Sequence, residues 1–417
     1  MRITLDISRL NRLFKIDLSK FYLIEKQKIC TMCLYIGILI LYFGSLHPWF
    51  MWPLKELYPI PAALFLAVSY LVSNSMSQGI YCKNNYIVAI LMYIVLSFFI
   101  IINGAQNVNS YIVNVFSVFS MFVFLKIGIG KLNNLATFIA KVFALLLIPS
   151  MAFFILYLIG FSLPYVNAVF GDNQYSFSNY YFFMIDDRFL MVIIPRFQSV
   201  FLEPGHLGSA TTVLLMRQIG QWKKWWNVIL VIASVISFSL AAYAILISLM
   251  FLSLWVQRKN LLGKLIVTVS LISVVGISSV FYNDGDNLVN NLILSRLEVD
   301  DRTGEMVGNN RVDAGFEKEF DEFITTSDAF FGRDMSKVVS GSGNSGYRVF
   351  IYQNGLFGLL LVLLFYTVSF KGFMDKRYLL TSVFISCLIF WIRGYPLWYS
   401  NFFPIYITVF NKYLVRK

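Results

Sequence analysis

Long apolar runs recur from Ile29 to Phe410, separated by short polar breaks. A helix needs roughly 20 apolar residues to cross a hydrocarbon core, and most of these runs approach that length. Lipid offers no hydrogen-bond partner to the backbone, so the runs are predicted as helices. In order they fall at 29–46, 59–74, 86–103, 111–125, 135–160 and 203–218, a pair within 227–256, then 262–282, 348–370, 379–394 and 397–413. That makes about twelve spans. The run 227–256 counts as two because basic residues flank it on both sides: Lys223 and Lys224 before, Arg258, Lys259 and Lys264 after. Both flanks belong inside, which requires an even number of crossings. A tight hairpin turning near Ser237–Ala242 is predicted, its broken backbone packed on protein or lining a cavity.

Two stretches interrupt the apolar pattern, 161–202 and 283–346. Counting from a cytoplasmic N-terminus puts both outside. Residues 1–28 carry seven Lys/Arg against three Asp/Glu, with Leu10, Leu13, Phe14, Leu18, Phe21 and Tyr22 at helical spacing. They read as a cytoplasmic amphipathic segment lying on the membrane. The chain thus divides into that segment, transmembrane helices 1–5 (29–160), a first large outer loop (161–202), helices 6–9 (203–282), a second large outer loop (283–346), and helices 10–12 with the tail (347–417). The expected fold class is an all-α polytopic membrane protein with both termini cytoplasmic.

Composition agrees. Of 417 residues 58% are hydrophobic and 13% charged, where soluble proteins carry about 25% charged residues. The net charge of +12 does not imply nucleic acid, because much of it lies in short loops and at the termini. The remainder suits an anionic lipid or substrate. Cys30, Cys33, Cys82 and Cys387 show no second ligand pair and read as helix packing, not a disulfide framework or zinc site. The N-terminus is too polar for a cleavable signal peptide, so the first span is expected to be retained.

The candidate chemistry clusters at the outer loops. Arg196 to Ser209 reads R-F-Q-S-V-F-L-E-P-G-H-L-G-S and enters the sixth span. It sets Arg196, Glu203 and His206 close together at the mouth of a membrane helix. A charge at the centre of such a helix costs roughly 2.5–3.5 kcal/mol, so groups of this kind persist near lipid mainly when they face a cavity or a partner. An interfacial pair that only pins a helix end is the plainer alternative. The first loop adds Asp186, Asp187 and Arg188; the second adds Arg296, Arg302, Arg311, Arg333, Lys337 and Arg348. Guanidiniums pair with phosphate oxygens in a planar fork, so this set suits a phosphorylated substrate. Ordinary solvated loop charge is the competing reading for each.

Phe316, Phe320 and Phe323 give one apolar face to a helix expected over the membrane mouth, with Glu317, Glu319, Asp321 and Glu322 on its wet face. Gly341 to Gly346 formally matches G-x-G-x-x-G, but no parallel strand precedes it, so it is not a dinucleotide fingerprint. It reads as a hinge, with a phosphate nest as the alternative. His47 and His206 are the only histidines and lie far apart in sequence. No metal site, P-loop or Ser–His–Asp signature is evident.

These features together resemble the O-antigen polymerase (Wzy) family and the related O-antigen ligases. The likeness rests on the two outer loops, on R-F-Q-S-V-F-L-E-P-G-H-L-G, on Asn309-Asn310-Arg311 followed by an amphipathic stretch and Phe331-Gly332, and on Asn344 followed by Gln353-Asn354-Gly355-Leu356-Phe357-Gly358. It covers about residues 190–360. The resemblance implies a GT-C-like membrane glycosyltransferase of the bacterial inner membrane. It would join undecaprenyl-pyrophosphate-linked oligosaccharide repeat units on the periplasmic face, with no cofactor and no metal, alongside a chain-length regulator protein. Carried over, Arg196 and Arg311 would bind and neutralise the pyrophosphate, with His206, Arg348 and Asn344 in the same site. Glu203 would be the base for the acceptor hydroxyl, or would orient Arg196. The ligases carry a His beside the Asn before the late span, where this chain has Gly343, Asn344 and Ser345. That difference favours polymerase over ligase. A lipid-linked oligosaccharide transporter is the third reading, but no related halves are evident.

Overall fold

The computed structural model describes residues 18–74, 91, 94, 95, 97, 108–125, 129–171, 175–187, 195–257, 261–287, 290–299, 314–333, 346–370 and 376–393. The first half has α1 (Leu18–Gly44), a 3-10 segment (Trp49–Leu57), α2 (Pro59–Asn74), α3 (Val108–Leu125) and α4 (Ile129–Leu158). The second half has α5 (Pro204–Arg217), α6 (Trp225–Ile236), α7 (Leu240–Val256), α8 (Leu261–Phe281), α9 (Ala314–Ile324), α10 (Gly346–Phe370) and α11 (Lys376–Arg393).

Most of the apolar runs are therefore helices, as their composition demands. Among the described residues three are long and apolar enough to cross a membrane: Glu25–Gly44, Asn134–Leu158 and Tyr347–Leu364. A fourth is added if the 3-10 segment and α2, bent by 80° at Tyr58, count as one broken span. The expected spans 86–103 and 397–413 lie largely or wholly outside the described residues. The membrane character also shows in what the helices leave uncovered. Leu64, Leu71, Leu145 and Ile155 are each more than half exposed on helix faces, a placement that suits hydrocarbon and not water.

Two expectations are corrected. First, the chain is not all-α. The first large loop holds a three-stranded antiparallel sheet of β1 (Val166–Phe170), β2 (Tyr175–Asn179) and β3 (Met184–Asp186), in that order. Val166 pairs with Asn179, and Phe177 with Asp186. The reason is local. V-N-A-V-F is rich in β-branched and aromatic residues, Y-S-F-S-N alternates aromatic residues with small polar ones, both favour strands, and Gly171 turns the chain at φ 66°. Second, the acids of α9 are not a uniform wet face, because Glu317 and Glu319 bond to α10. Of the expected N-terminal segment, residues 1–17 lie outside the described residues, and 18–28 belong to α1.

The long apolar run breaks where its flanking charges required. α6 ends at Ile236 and α7 starts at Leu240, with Phe238 at φ 45° between them. Ser239 caps α7 by accepting the Ala242 amide hydrogen at 3.4 Å, a role short hydroxyl side chains fill well.

The main core lies between α1, α4, α5 and α6. Phe143 of α4 stacks on Phe43 and Phe201, at 5.8 and 5.3 Å between ring centroids. The Tyr42 hydroxyl donates to the Ala210 carbonyl at 3.0 Å. Cys30 and Cys33 are buried free thiols on α1, and the Cys30 thiol bonds the Ser69 carbonyl of α2 at 3.1 Å. They are packing residues, as their isolation from other ligands suggested.

Candidate functional site

The segment Pro195–Leu202 is held from three sides. The Phe197 amide donates to the Ile236 carbonyl at the end of α6 (3.4 Å), the Met184 amide of β3 donates to the Ser199 carbonyl (2.9 Å), and the Trp49 amide donates to the Val200 carbonyl (3.0 Å). The sheet, the 3-10 segment and the loop exit then share a small apolar cluster of Phe177, Met184 and Leu202, with Trp49, Trp52, Phe170 and Tyr175 around it. That cluster fixes the approach to α5 and so fixes where its polar residues stand.

Glu203 caps α5 in extended backbone, φ −142° and ψ 150°, with Pro204 as the first helical residue. Proline suits that position because its missing amide hydrogen would have no helical partner. The Glu203 carboxylate does not cap its own helix, while its carbonyl accepts the His206 amide at 3.0 Å. His206 lies one turn on, half-buried, its Nδ1 3.4 Å from the Leu46 carbonyl. Arg196 is also half-buried. It lies within electrostatic reach of the Tyr243 hydroxyl, which donates to the Val235 carbonyl. Next to Tyr243, Ala242 meets α5 at Gly208, where any side-chain carbon would lie 2.4 Å from the Ala242 methyl. Thr211 bonds Ser234 of α6 at 2.6 Å. Glu203 and His206 thus stand at the N-terminal end of α5, while Arg196 lies near Tyr243, just past the α6–α7 break.

The sequence did not mark the next member of this site. His47 follows α1, and its ring centroid lies 6.1 Å from that of His206. The two histidines of the chain face one another across the loop exit. His47 holds φ 49°, and its carbonyl accepts the Trp52 indole N–H at 2.9 Å. Burial holds its imidazole below the ordinary histidine value, because desolvation penalises the charged ring. A small signal was available: His47 directly follows the first apolar run, in a turn rich in aromatic residues.

The remaining candidates lie elsewhere. Arg348, in the first turn of α10, pairs with Glu317 at 2.6 Å, bonds the Tyr347 hydroxyl at 3.1 Å, and covers the Phe320 ring. Its charge is engaged by α9, and no described contact joins it to Arg196, Glu203 or His206. Arg333 pairs with Asp328 at 2.7 Å. Asp187 accepts bonds from Ser176 and Ser178 within the sheet. Arg311 and Asn344 lie outside the described residues, as do Arg188, Arg302 and Lys337. Among the described residues no group of three or more His, Cys, Asp or Glu side chains could hold a metal ion.

The second large loop meets α10 at a tight crossing. Phe316, Phe320 and Phe323 of α9 bury against Tyr352, whose hydroxyl donates to Glu319 at 2.7 Å. Gly355 leaves helical geometry at φ 63°, and Gly332 has φ 87°. A side-chain carbon on Gly332 would stand 2.1 Å from the Gln353 carbonyl oxygen, and one on Gly355 2.3 Å from that of Phe330. Two short sequence motifs, Phe331-Gly332 and Gln353-Asn354-Gly355, are therefore the two halves of one backbone contact.

Comparison with known protein families, with curated proteins and with solved structures finds no match to this chain.

Proposed function

We propose that the chain is a polymerase of lipid-linked oligosaccharide repeat units, working on the outer face of a bacterial inner membrane. One observation supports this reading most: half-buried Glu203 and His206 stand at the start of α5, and half-buried Arg196 lies near Tyr243 just past the break between the apolar helices α6 and α7. Such a place can hold the charged head of a lipid substrate while its tail stays in hydrocarbon. The wider expectations belong to the same proposal: about twelve spans, a GT-C-like arrangement, cytoplasmic termini and a chain-length regulator as partner.

In the proposed reaction Arg196 and Arg311 grip the diphosphate of the donor lipid. Glu203 accepts the proton of the acceptor sugar hydroxyl, and His206 assists. The acceptor oxygen bonds to the anomeric carbon of the donor, and the bond from that carbon to the pyrophosphate oxygen breaks. Charge gathers on the departing diphosphate, where fixed guanidiniums stabilise it most. Two such groups supply the positive charge a metal would otherwise bring, so activity should survive a chelator.

The test is the glycan ladder on the cell surface. Loss of this protein should leave a single repeat unit on the core. Loss of every attached repeat would instead indicate a ligase or a transporter.

A further inference from the structure

The helix α10 changes character at Gly355, where the backbone leaves helical geometry. Before that point Arg348 pairs with Glu317, and the Tyr352 hydroxyl donates to Glu319. The first turns of α10 are therefore bound to α9, whose Lys318, Asp321 and Glu322 are exposed. Charges of this kind are costly in hydrocarbon, so they keep α9 and the turns beside it out of the bilayer core. After Gly355, residues 356–370 contain no charge. The second large loop crosses α10 at this same boundary, through the backbone of Phe330 and Phe331. Both of their side chains are left open, 61% and 63% exposed. The Phe331 ring meets that of Phe357 at 6.0 Å between centroids. Phe357 and Leu356 begin an exposed apolar stripe that continues through Leu360, Leu363 and Leu364, residues spaced to share one face of a helix. The loop thus adds two aromatic rings to the end of a stripe that runs down α10.

We propose that Phe330 and Phe331 are seated in a phospholipid bilayer, at the level where its acyl chains begin, and anchor the second large loop to the membrane surface. Continuity selects lipid as the occupant. The stripe belongs to a helix long and apolar enough to cross a membrane, so acyl chains cover the stripe, and the two rings extend the same face. Aromatic side chains are enriched at this level of a bilayer. The polar neighbours agree: Asp328 and Arg333, which flank the two rings in sequence, pair with each other and stay partly exposed. Packing within the protein does not explain the rings. It is Ala329, between Asp328 and Phe330, that closes the cluster of Phe316, Phe320, Phe323 and Tyr352. The anchor holds the loop at a fixed height through a contact that a solvated loop would lack. This inference goes beyond the polymerase reading and needs only that α10 crosses a bilayer.

The experiment uses the full chain in phosphatidylcholine vesicles, with Phe330→Trp and Phe331→Trp made separately. Leu360→Trp marks the stripe of α10 and Lys318→Trp the charged face of α9. The emission of the wild type, which has eight Trp, is subtracted from each. Lipids brominated on their acyl chains quench only indoles that reach the chains. Trp at 330 and at 331 should lose emission to these lipids, more when the bromines lie near the headgroup than when they lie near the chain ends. Trp at 360 should be quenched too, and Trp at 318 only by iodide in the water. Full emission at both 330 and 331 in brominated lipid overturns the proposal, whether iodide reaches them, as in a solvated loop, or does not, as under a second copy of the chain. Stronger quenching there by bromines at the chain ends also overturns it, because the boundary would then not lie at Gly355. Quenching at 360 without quenching at 330 and 331 defeats this inference alone, while no quenching at 360 defeats the membrane reading of α10. Neither result bears on glycan extension, which is read separately.

Discussion

Arg196 can be tested by two substitutions that separate charge from shape. Arg196→Ala should lower glycan extension by about 10²–10³-fold, the usual effect of losing a group that stabilises developing negative charge. Arg196→Lys should remain poor, because an ammonium lacks the planar fork that meets two phosphate oxygens. Gel analysis of chain length in cells expressing each variant checks both. His47 makes a separate prediction. Its folded pKa lies below the ordinary 6.5, so the unfolded chain takes up the proton first as pH falls. Its contribution to stability is fully present above 6.5 and is lost as pH falls through the folded value. The melting temperature should be lower at about pH 5 than at about pH 7.5, and His47→Gln should flatten that slope. Arg196, Glu203 and His206 were legible in the sequence because polar groups stand out against an apolar run. His47 was not. A histidine 159 positions from its partner (206 − 47) leaves no mark on a linear pattern.

At the level of elements, the crossing of the second loop over α10 carries the clearest prediction. Gly332→Ala or Gly355→Ala places a methyl against a backbone carbonyl at a strained φ. Each should cost about 2–5 kcal/mol, read as a lowered melting temperature or loss of the inserted protein. Both glycines stand in the sequence only within family-like motifs; their shared cause is a contact between segments some twenty residues apart (355 − 332 = 23), which periodicity does not show. Arg348 is decided on the same scale. If it tethers α9 to α10, Arg348→Ala and Glu317→Ala should have the same defect, and the double variant should be no worse than either. Additive defects in anion binding would return Arg348 to the substrate site. The apolar face of Phe316, Phe320 and Phe323 was readable from helical spacing. That it closes on Tyr352, with Glu317 and Glu319 turned to the same neighbour, depended on tertiary packing. The sheet of the first loop was hidden because its strands are short and interrupt a chain otherwise ruled by lipid.

For the whole molecule, helical character and membrane residence follow from composition and run length, and α2, α5 and the α6–α7 break fall at or near their sequence-predicted places. What run lengths do not contain is which loops meet. The loop exit, the turn after α1 and the α6–α7 break converge because hydrogen bonds at Phe197, Ser199 and Val200 tie them together. The central claim is that this convergence holds a lipid diphosphate while one glycan is passed to another. It is tested most directly by placing purified protein in vesicles with one defined lipid-pyrophosphate repeat unit and sizing the products. The account predicts a ladder of longer lipid-linked glycans from the wild type, undiminished by chelator, and single units alone from Arg196→Ala. Single units from the wild type, or equal ladders from both proteins, would contradict it.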